Sequence, residues 1–154
     1  MNTRRMVLAL ALAVLPAAAF GKPNFSGEWK LNAAKSDFGP MPAPSVYDRK
    51  IAHDEPSLQV NTKQSGQQGE ITTEMKYKTD GSESVNTIRG TEVKAVCKWD
   101  GDVLTIESKR STQQGEITIT ERWALGDDGK AIAISGKISG GFGEFEVKIH
   151  LEKQ

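Results

Sequence analysis

The stretch Phe145-Glu146-Val147-Lys148-Ile149-His150-Leu151-Glu152 decides the fold, because apolar and polar side chains alternate along it without a break. A period of two residues is typical of a β-strand with one buried face and one face in water. The same period recurs in short runs along the chain, and helical spacing is nearly absent. The sequence therefore predicts an all-β protein of about ten antiparallel strands. Outside this stretch the clearest apolar positions are Trp29/Leu31, Val46 to Ile51, Leu58/Val60, Ile71/Met75/Tyr77, Ser84 to Ile88, Val93/Ala95/Cys97/Trp99, Leu104/Ile106, Ile117/Ile119/Trp123/Leu125 and Ile132/Ile134/Ile138.

Turn residues lie where these strands would reverse, which indicates that each strand pairs with the next in order. An internal repeat agrees with this meander, since Ser65–Thr73 returns 46 residues later as Ser111–Ile119 with seven of nine positions identical. Ten strands must curl to cover their edges. We therefore predict an up-and-down meander that forms a closed or flattened β-barrel. The predicted turns are Thr79-Asp80-Gly81, Asp100-Gly101-Asp102, Asp127-Asp128-Gly129 and Ser139-Gly140-Gly141.

Composition excludes several classes of protein. The chain has 154 residues, of which 37% are apolar, enough for one globular domain. Its 20 Lys+Arg balance 20 Asp+Glu, and no basic run follows Lys22, so nucleic-acid binding is disfavoured. One cysteine and two histidines 97 positions apart predict neither a disulfide framework nor a metal site, and no cofactor motif is present.

The first 19 residues have the features of a signal peptide. Arg4 and Arg5 precede the apolar stretch Met6 to Leu15, and small residues follow at 16–19. An apolar stretch of about ten residues is too short to span a membrane, which takes roughly 20. We expect cleavage after Ala19 or Gly21, no retained span, and export to the periplasm or the extracellular space. Residues 20–154 then form one domain, expected to be a monomer.

A proline-rich segment at residues 39–44 interrupts the strand pattern. Its prolines lack the N–H group that a strand needs to pair. We predict an extended connection or a lid.

The start of the predicted domain carries a family resemblance. Phe25-Ser26-Gly27-Glu28-Trp29-Lys30-Leu31 has the form Phe-x-Gly-x-Trp-x-Leu and leads into an all-β meander. It resembles the calycins, which include the lipocalins and the fatty-acid-binding proteins. Lys98-Trp99-Asp100-Gly101 looks like a hairpin turn of the second branch. The start, extended through Ser36-Asp37-Phe38-Gly39, is also similar to a group of exported bacterial lipocalin-like proteins.

The resemblance implies that Trp29, with Gly27, plugs the closed end of the barrel, and that Arg122 or Lys148 covers it. Fatty-acid-binding proteins also hold a carboxylate with an Arg-x-Tyr pair on the last strand. Here Lys148-Ile149-His150 stands at that place, and alternation puts Lys148 and His150 on the wet face, so that site is not carried over. Residues 32–45 are too few and too proline-rich for the helical lid of that branch.

Glu121 interrupts an inward apolar stripe between Ile119 and Trp123. A buried carboxylate is costly unless it is paired, hydrogen-bonded or neutralised, so Glu121 is a candidate to orient a ligand. A place near the barrel mouth, or a bulge that turns it to water, is the alternative. Four inward aromatic side chains are candidates to stack on a ligand, with core filling as the alternative: Tyr77, Trp99, Trp123 and Phe145.

These observations favour a binding protein over an enzyme. No nucleophile, base and orienting acid share a face, and Cys97 has the parity of a buried thiol. We expect a non-catalytic barrel that binds a small apolar or amphipathic molecule. The alternative is a module that acts through its outer surface or loops and has a filled core.

Overall fold

The computed structural model describes residues 21–154, so the predicted signal peptide lies outside the described residues. This part of the chain is all-β apart from one short 3-10 helix, Ala33–Lys35. The predicted count of about ten strands is confirmed. The strands are β1 Gly27–Leu31, β2 Val46–Asp54, β3 Ser57–Gly66, β4 Gly69–Lys78, β5 Asp80–Ile88, β6 Thr91–Asp100, β7 Val103–Thr112, β8 Gly115–Leu125, β9 Ala131–Gly140 and β10 Gly143–Lys153.

The strands form one antiparallel sheet that curls into a nearly closed barrel. Its order is β4-β3-β2-β1-β10-β9-β8-β7-β6-β5, so the first strand pairs with the last. Trp29 of β1 lies opposite Lys153 of β10 and Arg49 of β2. The predicted pairing of every strand with its neighbour fails at one place, because the sheet order begins at β4 and ends at β5.

The side chain of Asn86 bridges the gap between β4 and β5. Its amide nitrogen donates to the carbonyl of Lys76 at 2.9 Å, and its oxygen accepts from the Lys76 N–H at 2.8 Å. At this position the Asn86 carboxamide thus replaces the backbone hydrogen bonds that join neighbouring strands elsewhere in the sheet. The predicted turn at 79–81 is present, and the register of β5 against β6 shifts between Asp80 and Glu83, at the start of β5.

The internal repeat corresponds to two hairpins of the same kind. Gln67-Gln68 joins β3 to β4, and Gln113-Gln114 joins β7 to β8, four strands later. Alternate turns of a meander lie at one end of the barrel, so both hairpins lie at the same end. Residues 39–44 are outside the strands, as predicted.

Side chains at the inward positions form the core, and the predicted two-residue sidedness of the strands is confirmed. Ile149 and Leu151 of β10 are buried, whereas Lys148 and Glu146 are exposed. The largest fully buried side chains are Trp29, Trp123, Phe25, Leu58, Leu104, Ile106, Ile132, Ile134, Leu151 and Cys97.

Candidate functional site

The barrel has an interior cavity of about 490 Å³ at the end where the Gln67-Gln68 hairpin lies. Its walls come from β2, β3, β4, β8, β9 and β10. Residues 41–44 of the proline-rich segment also contribute to the lining. The apolar side chains that line it are Phe38, Met41, Pro42, Ala43, Pro44, Ile71, Ile119, Ile138, Val147 and Ile149.

A second cavity of about 440 Å³ adjoins the first. The two share Tyr47, Gln64, Ile71, Ile119 and Glu121, among other residues, so they are neighbouring parts of one interior space. The second part extends towards β5, β6 and β7. Small-molecule sites in proteins have volumes of roughly 300–1,000 Å³, so each part is large enough for a small ligand.

Glu121 points into this space and is bound by two donors. Its Oε1 lies 3.3 Å from Nη2 of Arg49, and its Oε2 accepts from Nε1 of Trp123 at 3.0 Å. The ladder is regular on both sides, with Ile106 and Gly136 opposite Glu121. The inward placement is therefore the one adopted, not the bulge that would turn the side chain to water.

Arg49 is the partner that the sequence interpretation missed. Its side chain is only 8% exposed, and it lies between two aromatic rings, with the guanidinium 5.1 Å from the centre of Tyr47 and 5.0 Å from that of Trp123. Nη2 also donates to the Tyr47 hydroxyl at 2.5 Å. Arg49 alternates with Tyr47 and Ile51 along β2, so these three side chains lie on the same face of the strand. This alternation could have predicted that Arg49 points into the barrel.

The electrostatics of this group keep Arg49 charged. Burial by itself lowers the pKa of Arg49, but the facing Tyr47 and Glu121 outweigh burial and raise it. Burial raises the pKa of Tyr47 and of the nearby Tyr77, so both phenols are neutral donors at neutral pH. The interior thus contains the charged guanidinium of Arg49 and the neutral phenols of Tyr47 and Tyr77, beside the apolar lining of the first cavity.

The predicted aromatic site residues do not all lie together. Tyr77 lines the second cavity, and Trp123 contacts Arg49 and Glu121. Phe145 lines a more open concavity of about 530 Å³ at the rim, next to Phe142. Trp99 lies at the opposite end of the barrel, so the prediction that groups it with the others is wrong in position.

Trp99 belongs to a cluster at the closed end. Its ring stacks on Phe25 and His53, with centroids 6.0 Å away in both cases, and its Nε1 donates to Glu55 at 2.8 Å. The Phe25 N–H donates to Nδ1 of His53, so Nε2 of His53 carries the proton that it donates to Glu55 at 2.8 Å. Thr79 donates to the second oxygen of Glu55. This cluster closes the barrel end.

Trp29 lies buried at the same end. Its Nε1 donates to the Phe25 carbonyl at 2.9 Å. The cation that covers it is Lys153, whose Nζ lies 5.4 Å from the ring centre. The expectation of Arg122 or Lys148 is wrong: Arg122 pairs with Asp100 on the outer face, and Lys148 is exposed.

Gly27 allows Lys153 to reach Trp29. A Cβ atom on Gly27 would come within 2.8 Å of the Lys153 side chain, and the φ of this glycine is +141°. Both features favour glycine at this position.

Cys97 lies inside the barrel, and burial raises the pKa of its thiol to about 12. Within residues 21–154, no three His, Cys, Asp or Glu side chains are grouped as metal ligands. Over the same range, no helix has the length and hydrophobicity to cross a membrane.

The described chain thus folds into a nearly closed ten-stranded barrel with an interior cavity. No protein-family model matches the sequence, and no curated protein does. Among solved structures, a secretory abundant heat soluble protein from Ramazzottius varieornatus is similar, with a TM-score of 0.61 and 14% identity over 87% of this chain and 97% of that one.

Two further structures share the fold. A mutant of the REP1-NXSQ fatty acid transporter has a TM-score of 0.58 and 15% identity, over 84% of this chain and 98% of that one. Zebrafish ileal bile acid-binding protein, complexed with cholic acid, has a TM-score of 0.54 and 16% identity over the same shares. At these identities the likeness concerns the fold.

Proposed function

We propose that this protein is an exported, non-catalytic carrier that binds one small apolar or amphipathic molecule inside its barrel. The observation that carries the proposal is the interior space, in which cavities of about 490 and 440 Å³ adjoin. A well-packed core leaves few voids larger than a water molecule, so unfilled space of this size suggests a ligand.

Three features support this reading over its alternatives. The first cavity has a mainly apolar lining with a few polar groups, which is the usual composition of a small-molecule site. Proteins of the same fold include a fatty acid transporter and a bile acid-binding protein. A surface-acting module with a filled core does not account for the unfilled space of the two cavities.

The non-catalytic part of the proposal rests on the chemistry of the interior. A Cys97 thiol with a pKa of about 12 is almost entirely protonated at neutral pH and is a poor nucleophile. His53, a buried histidine, is held by Phe25 and Glu55 at the closed end and lines neither cavity.

A cavity-filling substitution tests the proposal. Ile119→Trp adds a large side chain to the space shared by both cavities, whereas Thr120→Trp adds the same side chain on the outer face of β8. A fluorescent apolar probe should bind saturably to the wild type and to Thr120→Trp, and weakly to Ile119→Trp. Equal binding to all three proteins would place the probe outside the barrel and contradict the proposal.

Native mass spectrometry of protein purified from its own host gives an independent readout. A retained small molecule supports a carrier, and its mass identifies the ligand class. The Ile119→Trp variant, prepared in the same way, should lack the additional mass.

A further inference from the structure

Three carboxamide side chains line the mouth of the first cavity, the end of the barrel at which the β3–β4 hairpin lies: Gln64, Gln67 and Gln68. Gln64 is the last inward residue of β3, and Gln67 and Gln68 form the tip of the hairpin. All three are exposed. Within residues 21–154, the side-chain hydrogen bond of this hairpin joins Ser65 to Glu70, and no carboxamide takes part. These three groups are therefore open to a ligand.

The first cavity presents little charge to a ligand. Among the described residues that line it, Glu121 is the one charged side chain, and its carboxylate is paired with Arg49. The other polar side chains of this lining are the three glutamines and Tyr47, whose phenol is neutral. A charged head group at the mouth therefore meets no free ion partner in this lining.

The chemistry of the mouth fits hydroxyl groups. A carboxamide both donates and accepts hydrogen bonds, and so does a hydroxyl. Several hydroxyls on one head group can thus each find a partner among three carboxamides. A carboxylate only accepts and an ammonium only donates, so either would use half of what the glutamines offer.

We infer that the bound molecule has an uncharged head group with several hydroxyls, such as a sugar, and that this head group binds Gln64, Gln67 and Gln68. Its apolar part then lies deeper in the first cavity, against Ile71, Ile119 and the other apolar side chains of the lining. The inference rests on the proposed function, because it names the polar end of the same ligand.

An exposed aromatic ring lies at the same end of the barrel. Phe142, in the β9–β10 turn, is 54% exposed, and it lines the rim concavity together with Gln64 and Phe145. Apolar surface and hydrogen-bonding groups thus lie side by side at the rim. A head group that carries both C–H and O–H groups finds a partner for each there.

The internal repeat supplies a matched control position. Gln114 corresponds to Gln68 in a hairpin of nearly the same sequence. In both hairpins a glycine of positive φ follows the glutamine pair, Gly69 in the first and Gly115 in the second. Gln68 lines both interior cavities, whereas Gln114 is absent from their lining. The same substitution at these two positions therefore alters the same kind of turn, but the cavity in one case only.

Three ligands that share one alkyl chain test the inference by displacement of the fluorescent apolar probe: decyl glucoside, decanol and decanoate. Decanoate is included because cations line the second cavity, namely Arg89, Lys109 and Arg110. Decyl glucoside, used below its micelle concentration, should bind about tenfold more tightly than either of the others. An advantage below about threefold over decanol or over decanoate would overturn the inference and leave the carrier proposal intact. Failure of all three to bind would overturn both.

Variants locate the head group. Gln64→Met and Gln68→Met keep the length of the side chain and remove its hydrogen-bonding groups. Each should lose about fivefold in affinity for decyl glucoside and keep its affinity for decanol, whereas a merely structural effect would weaken both ligands alike. Gln114→Met should change neither affinity. Unchanged glucoside affinity in both mouth variants, or an equal loss in Gln114→Met, would overturn the assignment.

Discussion

Removing one partner of the Arg49–Glu121 pair should destabilise the protein, and more so when Glu121 is removed. The Arg49 side chain is 8% exposed and that of Glu121 is 20% exposed. Without Glu121, the guanidinium keeps its charge where water hardly reaches it. Without Arg49, the carboxylate still accepts a hydrogen bond from Trp123 and still faces the cavity. The cost of the two changes is therefore unequal.

The expected magnitudes follow from burial. Removing one partner of a fully buried ion pair costs about 3–5 kcal/mol. Because the pair is partly exposed at Glu121, Glu121→Leu should cost about 3 kcal/mol, the low end of this range. Arg49→Met should cost about 1–2 kcal/mol, because the carboxylate that remains is partly exposed and keeps its hydrogen bond from Trp123. The double variant should cost less than the sum, because no uncompensated charge remains in it. A domain of ordinary stability, about 5–15 kcal/mol, survives these losses and stays measurable.

Urea unfolding, followed by tryptophan fluorescence and circular dichroism together, measures these differences. The matched control is Arg122–Asp100 on the outer face, whose N–O distance of 2.9 Å is shorter than the 3.3 Å of Arg49–Glu121. The control side chains are 48% and 65% exposed, and such pairs contribute about 0–1 kcal/mol. The reasoning is refuted if Asp100→Asn costs as much as Glu121→Leu, or if Glu121→Leu stays within about 0.5 kcal/mol of the wild type.

Three further predictions concern the rest of the barrel. Asn86→Ala removes two hydrogen bonds to Lys76 and should cost about 1–2 kcal/mol and speed hydrogen exchange of the Lys76 amide; unchanged exchange would show that the gap needs no bridge. Burial raises the pKa of Glu55, but hydrogen bonds, including one from His53, outweigh burial and lower it below its ordinary 4.5. Since the folded-state pKa is the lower one, Glu55 stabilises the protein above the unfolded-state pKa and loses this effect as the pH falls through the folded-state value, so urea midpoints of Glu55→Gln and wild type should differ at neutral pH and converge in acid. Cys97 should resist iodoacetamide in the native protein at neutral pH and react fully in urea, as mass spectrometry can measure; rapid native alkylation would contradict its burial.

Most of the fold could be predicted from the alternation of apolar and polar residues alone. Phe145 to Leu151 alternates without a break, and β10, Gly143–Lys153, contains the whole run. Alternation says which face of a strand is buried, but it does not say which strands pair. That is why Thr79–Gly81 correctly predicted a turn and wrongly predicted a paired hairpin. β5 has little apolar alternation, so its sequence gives no sign of the missing pairing with β4 or of its register shift against β6.

Of the two residues that form the ion pair in the cavity, only Glu121 could be predicted from the sequence. Glu121 stands out because it interrupts a long apolar stripe. Arg49 breaks the same rule on β2, but its run is short and its apolar neighbours are few. Their contact joins residues 72 positions apart in the sequence, and no local pattern encodes a contact across the barrel. The assignment of Lys153 as the cover of Trp29 also needed the register of β1 against β10.

A charged side chain inside this barrel calls for an explanation, because stability alone does not favour it. A buried ion pair is commonly no better than apolar residues of the same volume. Here Arg49 also keeps N–H groups that no acceptor within residues 21–154 satisfies, next to space that the core leaves unfilled. Departures from consistent packing concentrate at functional sites. A binding site inside the barrel accounts for the charged pair and for the unfilled space together, since a bound molecule would occupy the space that Arg49 and Glu121 line.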